Sequence, residues 1–152
     1  METQPTPIQV RVVNRSPYPL PDYATAGAAG LDVCAWVEQP LTIEPLGRVR
    51  VPTGLYLEIP AGYEIQVRPR SGLAWRHGIS LPNTPATIDS DYRGELQIPL
   101  INLGTEAFTV EPGMRIAQLV LARVERLSWL PTAELAPSER GEGGFGHSGL
   151  NP

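Results

Sequence analysis

The feature that most constrains this chain is a recurring alternation of apolar and polar residues at period two. It runs through "IQVRVVN" (8–14), "RVRVPTGLYLEI" (48–59), "YEIQVRPR" (63–70), "GELQIPLINLG" (94–104) and "FTVEPGMRIAQLVLARV" (108–124). Successive side chains on a strand point to opposite faces, so each run can bury one face and wet the other. Turn clusters separate the runs every ~8–12 residues, the spacing of a sandwich or barrel. The fold class expected is all-β. Two runs carry internal breaks, at Pro52-Thr53-Gly54 and at Glu111-Pro112-Gly113. Proline gives no N–H to a ladder, so Pro52 and Pro99 predict edges or bulges. Only "SGLAWRHG" (71–78) reads as a short helix, with Ser71 as its expected N-cap.

A length of 152 residues fits one domain with a tail. We divide it into a β-domain over 1–139 and a C-terminal segment over 140–152. The 17 prolines and 15 glycines are spread between apolar runs, so they read as turns. Net charge is −4, and no basic stripe suits a duplex, so no nucleic-acid partner is expected. No signal-like segment is seen and no apolar run approaches ~20 residues, so no membrane association is expected. A cytoplasmic location follows as the expectation. The single cysteine, Cys34, excludes an internal disulfide and a cysteine zinc cluster. All 12 basic residues are arginine. Without lysine there is no P-loop lysine, no Schiff base and no Ser-Lys dyad. A bound phosphate would be held by arginine, hydroxyls, backbone N–H or metal.

The segment "RGEGGFGHSGLNP" (140–152) spells G-x-G-x-x-G with Gly141, Gly143 and Gly146. That fingerprint needs a strand before it and a helix after it to present N–H groups to a pyrophosphate. Gly149 and Pro152 leave no room for the helix, so the dinucleotide reading fails. A floppy tail and a ligand-closing lid both remain open.

Four further stretches carry candidate chemistry. "AGAAGLDVCAW" (26–36) leads small residues into Asp32, either a turn carboxylate or a site residue. "RPRSGLAWRHG" (68–78) joins arginines to a helix start, which is an anion site or a capped surface turn. "LPNTPATIDSDYRGELQI" (81–98) reads as strand, tight turn, strand, with Asp89 and Asp91 at its tip. Those carboxylates are either turn formers or a water-activating or metal-binding group. "GMRIAQLV" (113–120) sets Gln118 in an apolar strand, where its amide must find partners in the core or on a ligand. His77 and His147 with Ser71 and Ser148 give no G-x-S-x-G elbow, so a hydrolase triad has little support.

Taken in order, "AGLDVCA" (29–35), "PRSGLA" (69–74), "TIDSDYRGEL" (87–96), "RIAQLV" (115–120) and "RGEGGFGHSG" (140–149) resemble the motifs of the trimeric dUTP diphosphatase family. The resemblance spans about residues 20 to 149. It implies a jelly-roll-like β-barrel subunit and a homotrimer with shared active sites. The implied substrate is dUTP, cleaved with Mg2+ to dUMP and pyrophosphate. Asp89 resembles the general base. Arg70, Ser71, Gly72 and Gln118 match phosphate contacts, joined by Arg140, Gly146, His147 and Ser148 from the mobile glycine-rich tail. Asn83, Thr87, Ile88, Tyr92 and Phe145 match nucleoside contacts, with Tyr92 under the deoxyribose and Phe145 stacked on uracil. Asp32 matches a carboxylate that touches the metal through water.

Two positions depart from the family pattern. Ala86 stands where members often have glycine, so it is expected in ordinary extended backbone. His147 stands where many have serine, which could make tail closure sensitive to pH near neutrality. The resemblance to dCTP deaminase is weaker. A non-catalytic nucleotide-binding module would not need Asp89, Arg140 and Phe145 together. A carbohydrate-binding or capsid-like jelly roll would bind no nucleotide.

Overall fold

The computed structural model describes residues 6–152. Among the described residues, ten strands and one short helix follow in the order β1 (Arg11–Asn14), β2 (Leu31–Cys34), β3 (Leu41–Ile43), β4 (Arg48–Glu58), β5 (Tyr63–Arg68), α1 (Ser71–His77), β6 (Ile79–Ser80), β7 (Ala86–Ile88), β8 (Glu95–Asn102), β9 (Phe108–Val110) and β10 (Arg115–Arg123). All pairings are antiparallel. One sheet has the order β1-β4-β8-β6, a second β2-β10-β5-β7, and β3 pairs with β9. This is the all-β, jelly-roll-like architecture expected.

The period-two runs bury the alternate residues they should. Leu96, Ile98 and Leu100 of β8 enter the core with Val51, Leu55 and Leu57 of β4. Ile65 and Val67 of β5 face them with Val33 of β2 and Leu119 of β10. The break at Pro52-Thr53-Gly54 is a bulge inside a continuous β4, where the register to β8 shifts between Pro52 and Tyr56. Gly54 takes φ 72° there, and Thr53 donates its hydroxyl to the Leu96 carbonyl at 2.6 Å. Pro99 sits where β6, which reaches only Ile101 and Asn102, leaves one side of β8 unpaired. Buried Asn102 bonds the Ile43 and Glu106 carbonyls and the Gly104 N–H. Among the described residues no buried side-chain polar atom lacks a partner.

Three expectations change. The first run pairs only over Arg11–Asn14. Ser71 is not the N-cap: Arg70 holds that position in extended backbone, and Ser71 is already helical. The stretch 81–98 is not a hairpin. β7 pairs with β5 in one sheet and β8 with β4 in the other, so residues 89–94 cross between sheets. Two alternating runs joined by a short turn-rich link mimic a hairpin in sequence, but longer-range partners win. Ala86 lies in β7 opposite Val67 and is not among the positive-φ residues, as expected.

After β10 the chain leaves the barrel. The Val124 N–H still reaches the Gly62 carbonyl at 2.9 Å. Beyond it, Leu127, Trp129, Leu130 and Leu135 are all exposed.

Candidate active site

The β2-β10-β5-β7 sheet carries its chemistry on the face turned away from the core. Val33, Leu119 and Val67 point inward, so their neighbours Asp32, Gln118 and Arg68 point outward. Register sets these three side by side across three strands. One end of this face is tied to the start of α1. Gln118 donates from Nε2 to the Pro69 carbonyl at 2.9 Å. Arg70 approaches Asp32 Oδ1 with Nε at 3.3 Å and donates from Nη1 to the Arg115 carbonyl at 3.2 Å. Arg115 Nη1 lies 3.6 Å from Asp32 Oδ2. Gly30 makes room for this arrangement, since a Cβ there would run into the Gln118 amide.

α1 then begins with its N–H groups free. No side chain caps it and no acid sits in its first turn. Ala74 is the first residue to donate within the helix, to the Arg70 carbonyl at 3.0 Å. The N–H groups of Ser71, Gly72 and Leu73 therefore lack intrahelical partners. Ser71 and Gly72 are exposed beside the half-buried Arg70. Thus Asp32, Arg70, Ser71, Gly72 and Gln118, flagged separately in sequence, come together.

The nucleoside candidates lie elsewhere. β7 is the outer strand of its sheet, so one edge of Ala86–Ile88 keeps unpaired backbone groups. Thr87 is exposed and Ile88 packs against the core; Asn83 is exposed in the preceding turn. Asp89 follows β7 directly, exposed, in a cleft with Glu64, Asp91 and Arg126. The Tyr92 N–H closes the next turn on the Asp89 carbonyl at 3.2 Å. The Tyr92 ring folds back over Gly94, and its hydroxyl donates to the Glu95 carbonyl at 3.0 Å. Arg93 braces the loop by donating to the Ser90 carbonyl at 2.7 Å.

These two groups are far apart in one chain. Asp32 and Asp89 are separated by three inter-strand steps and by four residues along β5, about 14 Å by about 13 Å, or about 20 Å in all. The tail is a third, separate element. Arg140 closes on its own segment, Nε to the Gly143 carbonyl at 2.6 Å, and Phe145 is fully exposed. Among the described residues no hydrogen bond joins 140–152 to the barrel. Gly146, His147 and Ser148 lie in the same exposed stretch.

The profile of the dUTPase family matches residues 16–149. This chain belongs to the dUTPase family. It is 53% identical over 142 residues to a deoxyuridine 5'-triphosphate nucleotidohydrolase of Fusobacterium nucleatum, covering 93% of this chain and 97% of that one. A Finegoldia magna protein of the same name is 48% identical over 142 residues, covering 93% and 99%. Membership of the dUTPase family assigns the chain dUTP hydrolysis. Among solved structures, the dUTPase of Staphylococcus bacteriophage 80alpha with dUpNHpp shares the fold at TM-score 0.83 and 24% identity, over 93% of this chain and 99% of that one. A mutant dUTPase of phage phi11, described with a structural Mg(II) ion, aligns at TM-score 0.74 and 18% identity, over 85% and 99%.

Sequence reasoning met Arg115 three residues before Gln118 but gave it no role; the fold sets it against Asp32. It also left Cys34, on the same outer face, without a role. Burial raises the Cys34 thiol above its ordinary pKa, and the pull of Arg115 the other way does not cancel it. Among the described residues no helix is long and apolar enough to cross a membrane.

Proposed function

We propose that the chain hydrolyses dUTP to dUMP and pyrophosphate in a homotrimer whose active sites each draw on several chains. The observation that carries this reading is the separation of about 20 Å between Asp32 and Asp89. A triphosphate held at Arg70 is out of reach of the same chain's Asp89. A neighbour's Asp89 and nucleoside edge must meet it, and a tail with no hydrogen bond to its own barrel among the described residues is free to close over both. The exposed apolar arm between them also calls for cover by another chain.

In this reading Arg70, the free N–H groups of Ser71 and Gly72, and Gln118 hold the phosphates from one chain. Hydrogen-bond donors fixed before the reaction stabilise charge as it develops on the phosphoryl oxygens. From a second chain, the unpaired edge of β7 reads uracil with its backbone, helped by Asn83, Thr87 and Ile88. Tyr92, held over Gly94, lies under the deoxyribose and leaves no room for a 2′-hydroxyl. Asp89 accepts a proton from water as its oxygen attacks the α-phosphorus, and pyrophosphate leaves. From a third chain Arg140 clamps the γ-phosphate, Phe145 stacks on uracil, and Gly146, His147 and Ser148 close on the phosphates. Hydrolysis removes dUTP, which keeps uracil out of DNA, and supplies dUMP for thymidylate synthesis.

Magnesium fits this site only in one way. Among the described residues no three His, Cys, Asp or Glu side chains converge on a metal position, and both Asp32 oxygens face arginines. The ion would be held by triphosphate oxygens and waters, with Asp32 reaching it through a water. It would offset phosphate charge alongside Arg70 and Arg140.

Pyrophosphate release from dUTP, UTP, dTTP and dCTP, with and without Mg2+, tests the reading. dUTP is the expected substrate, and Mg2+ the expected requirement. Preference for UTP would overturn the Tyr92 assignment, and ammonia from dCTP would identify a deaminase. Asp89→Asn is expected to lower kcat by about a thousandfold with dUTP binding kept.

A further inference from the structure

We propose that Arg115 is a positioning residue of the phosphate side, acting on Arg70 through Asp32. The inference rests on the dUTP reading above but concerns a residue that reading leaves idle.

The starting point is a bulge. Leu119, Gln118 and Ala117 pair with Leu31, Asp32 and Val33 in steady register, but Arg115 pairs with Cys34, one residue out of step. In an unbroken ladder Arg115 would stand opposite Ala35, which is 0% exposed, and would point into the core. The extra residue sends Ile116 and Ala117 both inward, at 1% and 0% exposed. It turns Arg115 onto the outer face with Cys34 and Asp32. Bulges re-aim side chains in this way beside active sites. Here the bulge delivers a second guanidinium to Asp32.

That second guanidinium changes what Asp32 offers Arg70. An arginine and a carboxylate left alone favour a two-pronged pairing. With Arg115 at Oδ2, Asp32 presents Arg70 with Oδ1. The Arg115 carbonyl takes a further Arg70 donor. Arg70 is thereby oriented with donors left over, and the three groups together keep one net positive charge for an incoming phosphate. Without Arg115, Asp32 is free to fork onto Arg70, turning it inward and cancelling its charge.

The test compares Arg115→Met and Arg115→Lys in wild-type and Asp32→Asn backgrounds, reading KM, kcat, Tm and oligomeric state. Calorimetric binding of inorganic triphosphate is read alongside. Arg115→Met is expected to raise KM for dUTP and weaken triphosphate binding by about tenfold, with kcat within about twofold. Arg115→Lys should restore most of the loss, since an ammonium still supplies a point charge at Oδ2. In Asp32→Asn, Arg115→Met should add little. An unchanged KM, full additivity with Asp32→Asn, or a loss that follows a fall in Tm or oligomeric state would overturn the inference. Triphosphate binding reads Arg115 even if wild type fails to turn over dUTP, so the two proposals fail separately.

Discussion

Gly30 and Gly144 belong to the first and last of the chain's motifs, and they are glycines for opposite reasons. A Cβ on Gly30 would strike the Gln118 amide, whereas one on Gly144 meets nothing within 4 Å. The contrast extends to their surroundings. Around Gly30, Asp32, Arg70, Arg115 and Gln118 are tied together on a sheet face by two ion pairs and by hydrogen bonds to the Pro69 and Arg115 carbonyls. Around Gly144, the chain bonds only to itself. The barrel side is organised without ligand. In the proposed function the tail would be ordered by ligand, at an entropic cost that glycine raises. On that reading the difference teaches where such a site is rigid: at the groups that face charge, and not at the cover.

The largest test of this contrast is removal of the cover. Deleting 139–152 should leave Tm and assembly unchanged, because among the described residues no hydrogen bond joins 140–152 to the barrel. It should lower kcat/KM for dUTP by at least about a hundredfold, through lost phosphate contacts and lost exclusion of water. Pyrophosphate release and thermal melting of the truncated protein measure the two effects. Normal turnover would refute the lid role.

Gly30→Ala attacks the other half. The added methyl must displace Gln118 and free the Pro69 carbonyl, so Tm should fall with a loss of about 1–3 kcal/mol. KM should rise because Arg70 and Ser71 shift with Pro69. Denaturant melts and steady-state kinetics check it. Unchanged values for both would show that the Gln118 amide does not hold the 69–70 turn.

Gly94→Ala carries the contrast to the nucleoside side. A Cβ there would come within 2.6 Å of the Tyr92 ring carbon bearing the hydroxyl. The ring must swing away, so discrimination of dUTP over UTP should fall about tenfold while kcat on dUTP changes less. The ratio of kcat/KM for the two substrates decides it. A preserved ratio would remove Tyr92 from sugar selection.

The sequence was most legible where chemistry is local. Alternation revealed the strands and the buried faces, and the proline-bearing breaks revealed the β4 bulge. It was least legible where partners are distant. The link from β7 to β8 has the spelling of a hairpin, yet β7 pairs with β5, and only the full sheet shows it. Ser71 looks like a cap, but Arg70, tethered to Asp32, takes that place in extended backbone. Arg115 was given no role because its placement depends on a one-residue register shift between β2 and β10, strands about eighty positions apart, which no local pattern encodes. The motifs singled out Asp32, Arg70, Ser71, Gly72 and Gln118, which the fold brings together; they did not say that Asp32 would be shared by two arginines.

The finest test returns to Gly144. Its φ is not among the positive ones and nothing surrounds it, so alanine fits there without strain. Replacing glycine narrows the conformations of the open tail by about 0.4–1 kcal/mol. If ordering the tail is part of binding, Gly144→Ala should lower KM for dUTP by about two- to fivefold at unchanged Tm. The same substitution at Gly30 is expected to raise KM and lower Tm, so one methyl group should act with opposite sign in the two halves. Equal signs would mean that the tail is already ordered before substrate binds, or that Gly144 is pressed against a neighbour when closed. Measuring KM for Gly144→Ala against the truncated protein, where no tail remains to order, separates those two outcomes from a change elsewhere in the barrel.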